Sequence, residues 1–513
     1  MKEQIPPTIR PDRVEPTSMA TLANDFSLEH ISGDSSVSVT GISMNTGDLR
    51  PGDLFVAMPG LKTHGARFVE KAIELGAVAV ISDEAGLREM GEVPVPKFKL
   101  ENPRSHLGAL AAAVYGNSPE VMPKLFGTTG TNGKTSTSYI LEAILRQLGE
   151  VTGLTSTAER HIAGEVIVSR LTTPESTEMQ SLVARMRERN VTSVAIEVSA
   201  QALTQLRVDG LKFDVAGFTN LSHDHLDDYA DMAEYLAAKA QLFQPDRASR
   251  GVVCLDSEFG EAFLSLSQIP TLTVSTQPSK NPDFLVTVTH ELPGRTRFEV
   301  VTPEGVSVES ELPIIGAHMA SNAGLAIAML VQAGFSIDRI KNAITEGIDC
   351  NLPGRTELVS GPDAPSVYVD FGHSPDAFLN TLAAVRKVTT GRVLMLFGAD
   401  GDRDASKRPE MARVAAMGSD ILVITDHHPR FEDPASIRAS LLAAARVAKP
   451  DGEIYEVSPP EAAIVKAVSL VKPGDSILWA GPGHQDYRDI RGVRTPYSAR
   501  ELAREALRNA GWK

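Results

Sequence analysis

Only two cysteines, Cys254 and Cys350, occur in 513 residues. A disulfide framework is therefore excluded, and a reducing compartment is the natural setting. Positive charge is also scarce: 50 Lys and Arg face 65 Asp and Glu, a formal net charge of −15. Coating nucleic acid or an anionic membrane needs clustered positive charge, so neither is expected as a partner. A phosphorylated small molecule stays open, because a few placed cations and backbone N–H groups suffice to hold one. No apolar run is long enough to span a bilayer, so no membrane insertion is expected. The N-terminal MKEQIPPTIRPDRVEP is polar and proline-rich and lacks the apolar stretch of a secretory signal. These absences predict a cytoplasmic chain, expected to be a monomer.

What is present is an ordinary globular composition. Apolar residues make up 42%, enough for sizeable cores, and the length suggests three to four domains at about 150 residues each. Three regions can be read. Residues 1–116 open with an arm expected to be flexible up to Thr17, then a small α/β unit. There GDLFVAMPG reads as a short strand closed by Pro-Gly, and FVEKAIELGAVAVIS as a helix, a stop at Gly76 and a buried strand. Residues 117–350 alternate apolar runs (SVAIEVSA, FDVAGFTNL, RGVVCLD) with amphipathic stretches, the pattern of a mostly parallel sheet covered on both faces. Within them, DFLVTVTHELPGRTRFEVVTPEGVSVESELPII alternates apolar and polar residues between turns and reads as a small antiparallel β insertion. Residues 351–513 hold four buried-strand candidates, SVYVDFG, RVLMLFGA, DILVIT and SILWAGPG, as in a Rossmann-like α/β domain. The fold class is α/β.

The strongest local signal is LFGTTGTNGKTSTSYILEAIL. An apolar strand end leads through Gly127, Thr128, Thr129, Gly130, Thr131, Asn132 and Gly133 into Lys134, Thr135, Ser136 and a helix. Glycines let successive N–H groups turn toward one anion, and the helix N-terminus adds its dipole. Lys134 can reach the β- and γ-phosphates of ATP, and the Thr135 hydroxyl can ligate Mg²⁺. The spacing departs from the usual phosphate loop, because Gly127 lies one residue too far from Gly133. A glycine turn with a surface lysine is the plain alternative, and the strand–loop–helix context argues against it. By itself the loop leaves a kinase, a GTPase, a motor and an ATP-driven ligase open.

Other stretches narrow the choice. GTNGKT with its preceding GTT, GISMNTGDLRPGDLFVAMPG, LTTPE, AIEVSAQAL, FTNLSHDHLDDY, EYLAAKAQLF, LPGRTE, VDFGHSPDAF and GADGDRDASKRPEM together resemble the Mur ligase family, most closely its MurE branch. The resemblance runs over nearly the whole chain from about Gly41. It implies a uridine-nucleotide domain, a central phosphate-loop ATPase domain and a C-terminal amino-acid-binding domain. It also implies an activity: ATP-dependent addition of a diamino acid to UDP-N-acetylmuramoyl-L-alanyl-D-glutamate, through an acyl phosphate, in peptidoglycan precursor synthesis. Lys134, Glu197, His225 and Lys239 would be catalytic. Thr135, Glu197, His225 and Lys239 would serve Mg²⁺, Lys239 as a carbamate. Without the resemblance, His225 would read as a satisfied structural histidine and Lys239 as a solvated helix lysine. Asn322, Arg355, Asp370 and His373 would face ATP, with Arg355 presented by a turn at a domain boundary. Met44, Thr46, Thr172, Thr173, Ser199, Gln205 and Arg207 would contact the UDP-linked substrate, although threonines beside a proline equally make a plain turn. A MurF-like or folylpolyglutamate-type ligase is the alternative. GDLFVAMPG argues against the folate enzymes, which lack the first domain, and GDRDASKRP against MurF.

The chain departs from the family pattern at telling places. A common Asp-Ser-Arg reads Asn45-Thr46-Gly47, so an arginine contact is absent; Gln201 and Met319 stand where the family often has His and Asn. The larger changes surround the third-residue pocket, assigned by resemblance to Arg403, His427, His428, Pro429, Arg430, Gly481 and Gln485. Enzymes that add meso-diaminopimelate typically carry Asp-Asn-Pro-Arg where this chain has His427-His428-Pro429-Arg430, and Glu where it has Gln485. Retained Arg430 suits a distal acid; the other changes favour lysine or another diamino acid without one, such as ornithine or diaminobutyrate. Diaminopimelate remains the alternative. Taken alone, the two histidines invite a metal reading, but neighbours on an extended segment point to opposite sides and make a poor pair of ligands.

Overall fold

A computed structural model describes residues 8–60, 63–222 and 229–512. Its backbone is organised by three large sheets. The first has the strand order 29–32, 97–99, 79–82, 53–57, 41–43, parallel except for its edge strand Glu29–Ser32. Its expected strand Asp53–Ala57 is buried at every position, as a strand covered on both faces must be. The expected helix Val69–Glu74 stops before Gly76, and the strand Ala79–Ser82 follows.

The N-terminal arm is anchored at Thr8, Ile9 and Arg10, while Asp12, Arg13, Glu15 and Pro16 are exposed. Thr8 and Arg10 are buried. Arg10 donates through both terminal nitrogens to Asp53 at 2.6 and 2.7 Å, and Ser181 Oγ donates to Ile9 O at 2.7 Å. Composition suggested flexibility; a buried, two-pronged charge pair overrides it.

The second sheet has eleven strands. Seven run parallel in the order 152–155, 193–197, 124–129, 213–218, 248–254, 271–275, 284–292. The expected antiparallel segment (Phe284–Leu292, Arg295–Val301, Ser307–Leu312) forms and continues this sheet at one edge. A second antiparallel hairpin, Glu159–Ile162 with Glu165–Val168, extends the opposite edge. The mostly apolar helix Ala317–Gln332, buried from Met319 to Leu330, covers the sheet.

The edge hairpin is tied to the phosphate-loop helix by charge. His161 Nδ1 lies 2.7 Å from Glu142 and Nε2 3.3 Å from Glu159. Burial pulls the His161 pKa down, but the two carboxylates outweigh it and raise it to about 9. The folded state then holds a proton that the unfolded chain releases near pH 6.5. This stabilisation is complete below about pH 6.5 and is lost as pH rises through about 9. His161→Gln is therefore expected to lower the melting temperature at pH 6 by several degrees and to converge on the wild type by pH 10. A pH-independent difference would contradict the ion-pair origin.

The third sheet places strands 357–358, 366–370, 476–480, 393–397, 421–424 and 453–456 side by side, parallel except for the first. All four expected strands form. The additional parallel edge strand Glu453–Glu456 is only half-buried, too polar to stand out as a buried run. The loops leaving Asp370, Phe397, Ile424 and Ala480 gather at the carboxyl ends, where open α/β sheets bind ligands. Among the described residues, no helix is long and apolar enough to cross a membrane.

Candidate active site

The phosphate loop is shorter than its sequence suggested. Gly127, Thr128 and Thr129 belong to the strand Lys124–Thr129, and the carbonyls of Thr128 and Thr129 accept from Val198 and Thr219 N–H groups. Gly127 packs against the Phe213 ring. These three residues brace the loop, which explains the extra residue in the spacing. The loop between strand and helix is Gly130, Thr131, Asn132 and Gly133, followed by the helix Lys134–Gln147 that carries Thr135 and Ser136. Gly130 (φ +148°) and Gly133 (φ +85°) need their freedom: a Cβ on the first would lie 1.8 Å from Thr219 Oγ1, on the second 2.7 Å from Asn322 Oδ1. Asn322 thus lies against the loop. Lys134 Nζ bends back across the mouth, donating to Gly130 O and Thr131 O at 3.0 and 2.8 Å.

Behind the loop a chain of hydroxyls and one carboxylate converges. Thr135 Oγ1 donates to Glu197 Oε2 at 3.0 Å, and Arg355 donates through a terminal nitrogen to Thr135 Oγ1 at 3.1 Å. On the other side Thr157 donates to Glu197 through its backbone N at 2.8 Å and its hydroxyl at 3.1 Å. With that proton committed, Thr172 Oγ1, 2.9 Å away, donates to Thr157 Oγ1. Glu197 ends a fully buried strand. Lys239, expected from sequence alone on a solvated face, is 1% exposed; its Nζ donates to Gly130 O at 2.8 Å and sits 4.1 Å from the Tyr235 ring centre. His225 lies outside the described residues.

Arg355 is carried in by the turn after Cys350, next to the third sheet, and is buried. Its described partners are neutral: Thr135, Gly354 O, His484 Nδ1 at 3.5 Å and the face of Phe371. Burial pulls its pKa below the usual arginine value. Asp370 does not face the loop as the ATP set implied. Its oxygens accept from the Thr356 and Gly372 N–H groups at 2.8 and 2.7 Å, so it fixes the backbone that presents Arg355. His373 Nδ1 lies 3.0 Å from Phe371 O. Asn132 donates to Asp376 at 3.1 Å, a second link between loop and third unit.

A cleft of about 550 Å³ opens between the first unit and the edge hairpin. Met44 and Thr46 line it, with Phe55, Arg10, Arg104 and Arg170. Arg170 was not singled out in the sequence. It pairs with Asp48 at 2.8 Å, setting a guanidinium beside the place where Gly47 lacks one. Thr173 is fully buried, donating to Glu197 O at 2.8 Å and accepting from Ser199 N at 3.1 Å. Ser199 Oγ caps the helix Ala200–Thr204. Both hydroxyls are spent on neighbouring backbone. Arg207 pairs with Glu175 at 2.9 Å and donates to Gln205 Oε1 at 2.7 Å.

The residues expected to form the third-residue pocket lie at the carboxyl ends of the third sheet. His427 and His428 do not point apart: their ring centres are 4.2 Å from each other. The segment after Ile424 is loop, so the alternation of a strand does not apply. His428 Nδ1 accepts from Asp489 N at 2.9 Å, which puts its proton on Nε2, facing Gln485 Oε1 at 2.7 Å. Burial pushes His427 down to about 3, so it is neutral. Arg430 (φ +52°) reaches Asp400 at 3.5 Å. Gly481 N donates to Asp370 O at 2.9 Å, tying this pocket to the backbone under Arg355. Arg403 is exposed, and Pro429 O lies against Gly401.

A phosphate loop in one α/β unit, entered by an arginine from the next, defines a three-unit phosphate-loop enzyme of the nucleotide-dependent kind. Comparison with known proteins specifies it. Family models match residues 38–115 (Mur ligase family, catalytic domain), 128–330 (Mur ligase middle domain) and 354–483 (Mur ligase, glutamate ligase domain). The chain is 52% identical over 510 residues to a UDP-N-acetylmuramyl-tripeptide synthetase of Leifsonia xyli subsp. xyli, covering 99% of both. It is 38% identical to the UDP-N-acetylmuramoyl-L-alanyl-D-glutamate–2,6-diaminopimelate ligase of Streptomyces coelicolor, covering 97% of this chain and 98% of that one. A solved structure of a ligase with that same description superposes with a TM-score of 0.67 at 25% identity, over 97% of this chain and 100% of the other. MurF of Thermotoga maritima with ADP superposes with a TM-score of 0.63 at 18% identity, covering 92% of this chain and 97% of that one, a likeness of fold. The chain belongs to the Mur ligase family, in its MurE branch, and is an ATP-dependent ligase.

Proposed function

We propose that this ligase joins a diamino acid without a distal carboxylate (lysine, ornithine or diaminobutyrate) to the free side-chain carboxylate of UDP-N-acetylmuramoyl-L-alanyl-D-glutamate. The observation that carries the reading is the unbroken chain Thr172–Thr157–Glu197–Thr135–Arg355, which joins the cleft loop to the phosphate loop and to the unit holding the third-residue pocket. Such a chain suits a reaction that must hold a carboxylate, a γ-phosphoryl group and an amine together away from water. The carboxylate oxygen attacks the γ-phosphorus and the bond to the β-phosphate oxygen breaks, releasing ADP. The amine then attacks the acyl carbon, and phosphate leaves with the carboxylate oxygen it acquired. Lys134 and Arg355 hold the negative oxygens in both steps.

Mg²⁺ fits the oxygens present. Thr135 Oγ1 and the Glu197 carboxylate converge beside the loop, the hard donors this ion prefers. Bound there, it would screen phosphate charge. Lys239, buried on Gly130 O, is the residue we assign to carbamylation, and His225 completes the proposed ligand set. Met44, Thr46 and Thr172, with Arg170, would hold the UDP-linked arm. Cytoplasmic action on these small molecules follows from the same reading.

The pocket supports the choice of amino acid. A neutral His428–Gln485 pair stands where diaminopimelate enzymes typically have Asn and Glu. Phosphate release should therefore require ATP, the UDP-linked dipeptide and a diamino acid together. ATP binding with no turnover for any diamino acid would overturn the proposal. His428→Asn is expected to change relative kcat/KM among amino acids at least about tenfold, with the ATP KM little affected; an unchanged profile would remove His428 as a selector.

A further inference from the structure

Asp400 was not singled out in the sequence, yet it lies beside His427, His428 and Arg430. It follows Phe397 by three residues, at the carboxyl end of a core strand. Its Oδ1 is enclosed with no hydrogen-bond partner among the described residues, and His427 Nε2 lies 3.6 Å from it. Its Oδ2 lies 3.5 Å from Arg430. Burial acts to raise the Asp400 carboxyl, and the fixed charge of Arg430 beside it opposes this and keeps it ionised. An ionised carboxylate with an unmet oxygen beside a neutral imidazole calls for a hydrogen-bond-donating cation.

Asp400, His427 and His428 lie close enough together to suggest a metal ion. Two observations favour an ammonium instead. His428 already accepts from the Asp489 N–H at Nδ1 and meets Gln485 at Nε2; Nε2 could bind a metal only with the ring proton on Nδ1, where that N–H points. Arg430 beside Asp400 also sets a fixed positive charge against a dication.

We propose that Asp400 is a specificity-determining residue that accepts the distal ammonium of the incoming diamino acid and, as the built-in counter-ion of Arg430, excludes a distal carboxylate. This rests on the pocket binding the third amino acid. An alkyl ammonium is charged at neutral pH and can donate to Asp400 Oδ1 and His427 together. A distal carboxylate directed at Arg430 would meet the carboxylate of Asp400 already there, and like charges in a half-buried site repel.

The test compares kcat/KM for L-lysine, L-ornithine, L-2,4-diaminobutyrate and meso-diaminopimelate in wild type, Asp400→Asn and His428→Asn, with ATP affinity as the check on folding. Wild type is expected to favour a diamine over meso-diaminopimelate about 100-fold or more. Asp400→Asn should lose about 100-fold on the diamines, chiefly through KM, and narrow or reverse the preference. Asp400→Glu, which keeps the charge and reaches one methylene further, should shift preference toward the shortest diamine accepted; it serves in place of Asp400→Asn if that variant does not fold. Wild type preferring meso-diaminopimelate, or Asp400 variants with wild-type selectivity while His428→Asn alters it, overturns the role of Asp400. If neither position alters the profile while turnover persists, the placement of the pocket itself is wrong.

Discussion

Lys134→Ala should reduce phosphate release by about 100- to 1,000-fold, because one charged donor at a transferring phosphoryl group contributes on that scale. Lys134 is held by Gly130 O and Thr131 O, so it is already at the loop mouth when phosphate arrives and little reorganisation is needed. Those bonds also make it a brace for the loop, and the variant could lose activity through a slack loop alone. Lys134→Gln separates the two effects. It keeps an N–H donor for the loop carbonyls and removes the charge, so it should fall as far as alanine in kcat while its melting temperature stays close to wild type. Near-normal kcat in either variant would remove Lys134 from the reaction.

Arg355→Ala should lose about 100-fold or more in kcat yet cost no stability. Breaking a buried ion pair ordinarily destabilises by about 3–5 kcal/mol because a charge is left unpaired. Arg355 is different: it is buried, and among the described residues no carboxylate lies within ion-pairing distance. Its guanidinium carries a desolvation cost that an anion at Thr135 would offset. Removing it should leave the melting temperature equal or higher without nucleotide, and should abolish part of the stabilisation that ATP confers. Arg355→Lys should not restore activity, since a single ammonium does not reproduce the planar fork. A variant that unfolds early, or one that keeps wild-type kcat, would contradict this role.

Much of the fold was legible because its signals are local. Fully apolar runs such as Leu394–Phe397 and Ile477–Ala480 can be little else than buried strands, and the strand–glycine–helix order located the loop. What escaped depends on partners far apart in sequence. Arg10 meets Asp53 across 43 positions, and Arg170 meets Asp48 across 122; neither pairing leaves a periodic trace. Glu453–Glu456 hid because edge strands tolerate polar residues. At the site, motif resemblance pointed to Glu197 and Lys239, while the burial of Lys239 needed the fold. It pointed also to Thr173, Ser199 and Asp370, whose bonds to neighbouring backbone leave no trace in a motif. Asp400 carries no signal of its own in the sequence, and only the third dimension sets it between Arg430 and His427.

The most direct test labels both oxygens of the acceptor carboxylate in UDP-N-acetylmuramoyl-L-alanyl-D-glutamate with ¹⁸O and supplies ATP and the preferred diamino acid. Mass spectrometry should find one labelled oxygen in the released phosphate and one in the new amide, with one ADP formed per amide. ADP formed without label in phosphate, or no amide product with any diamino acid, would contradict ligation through an acyl phosphate at this site.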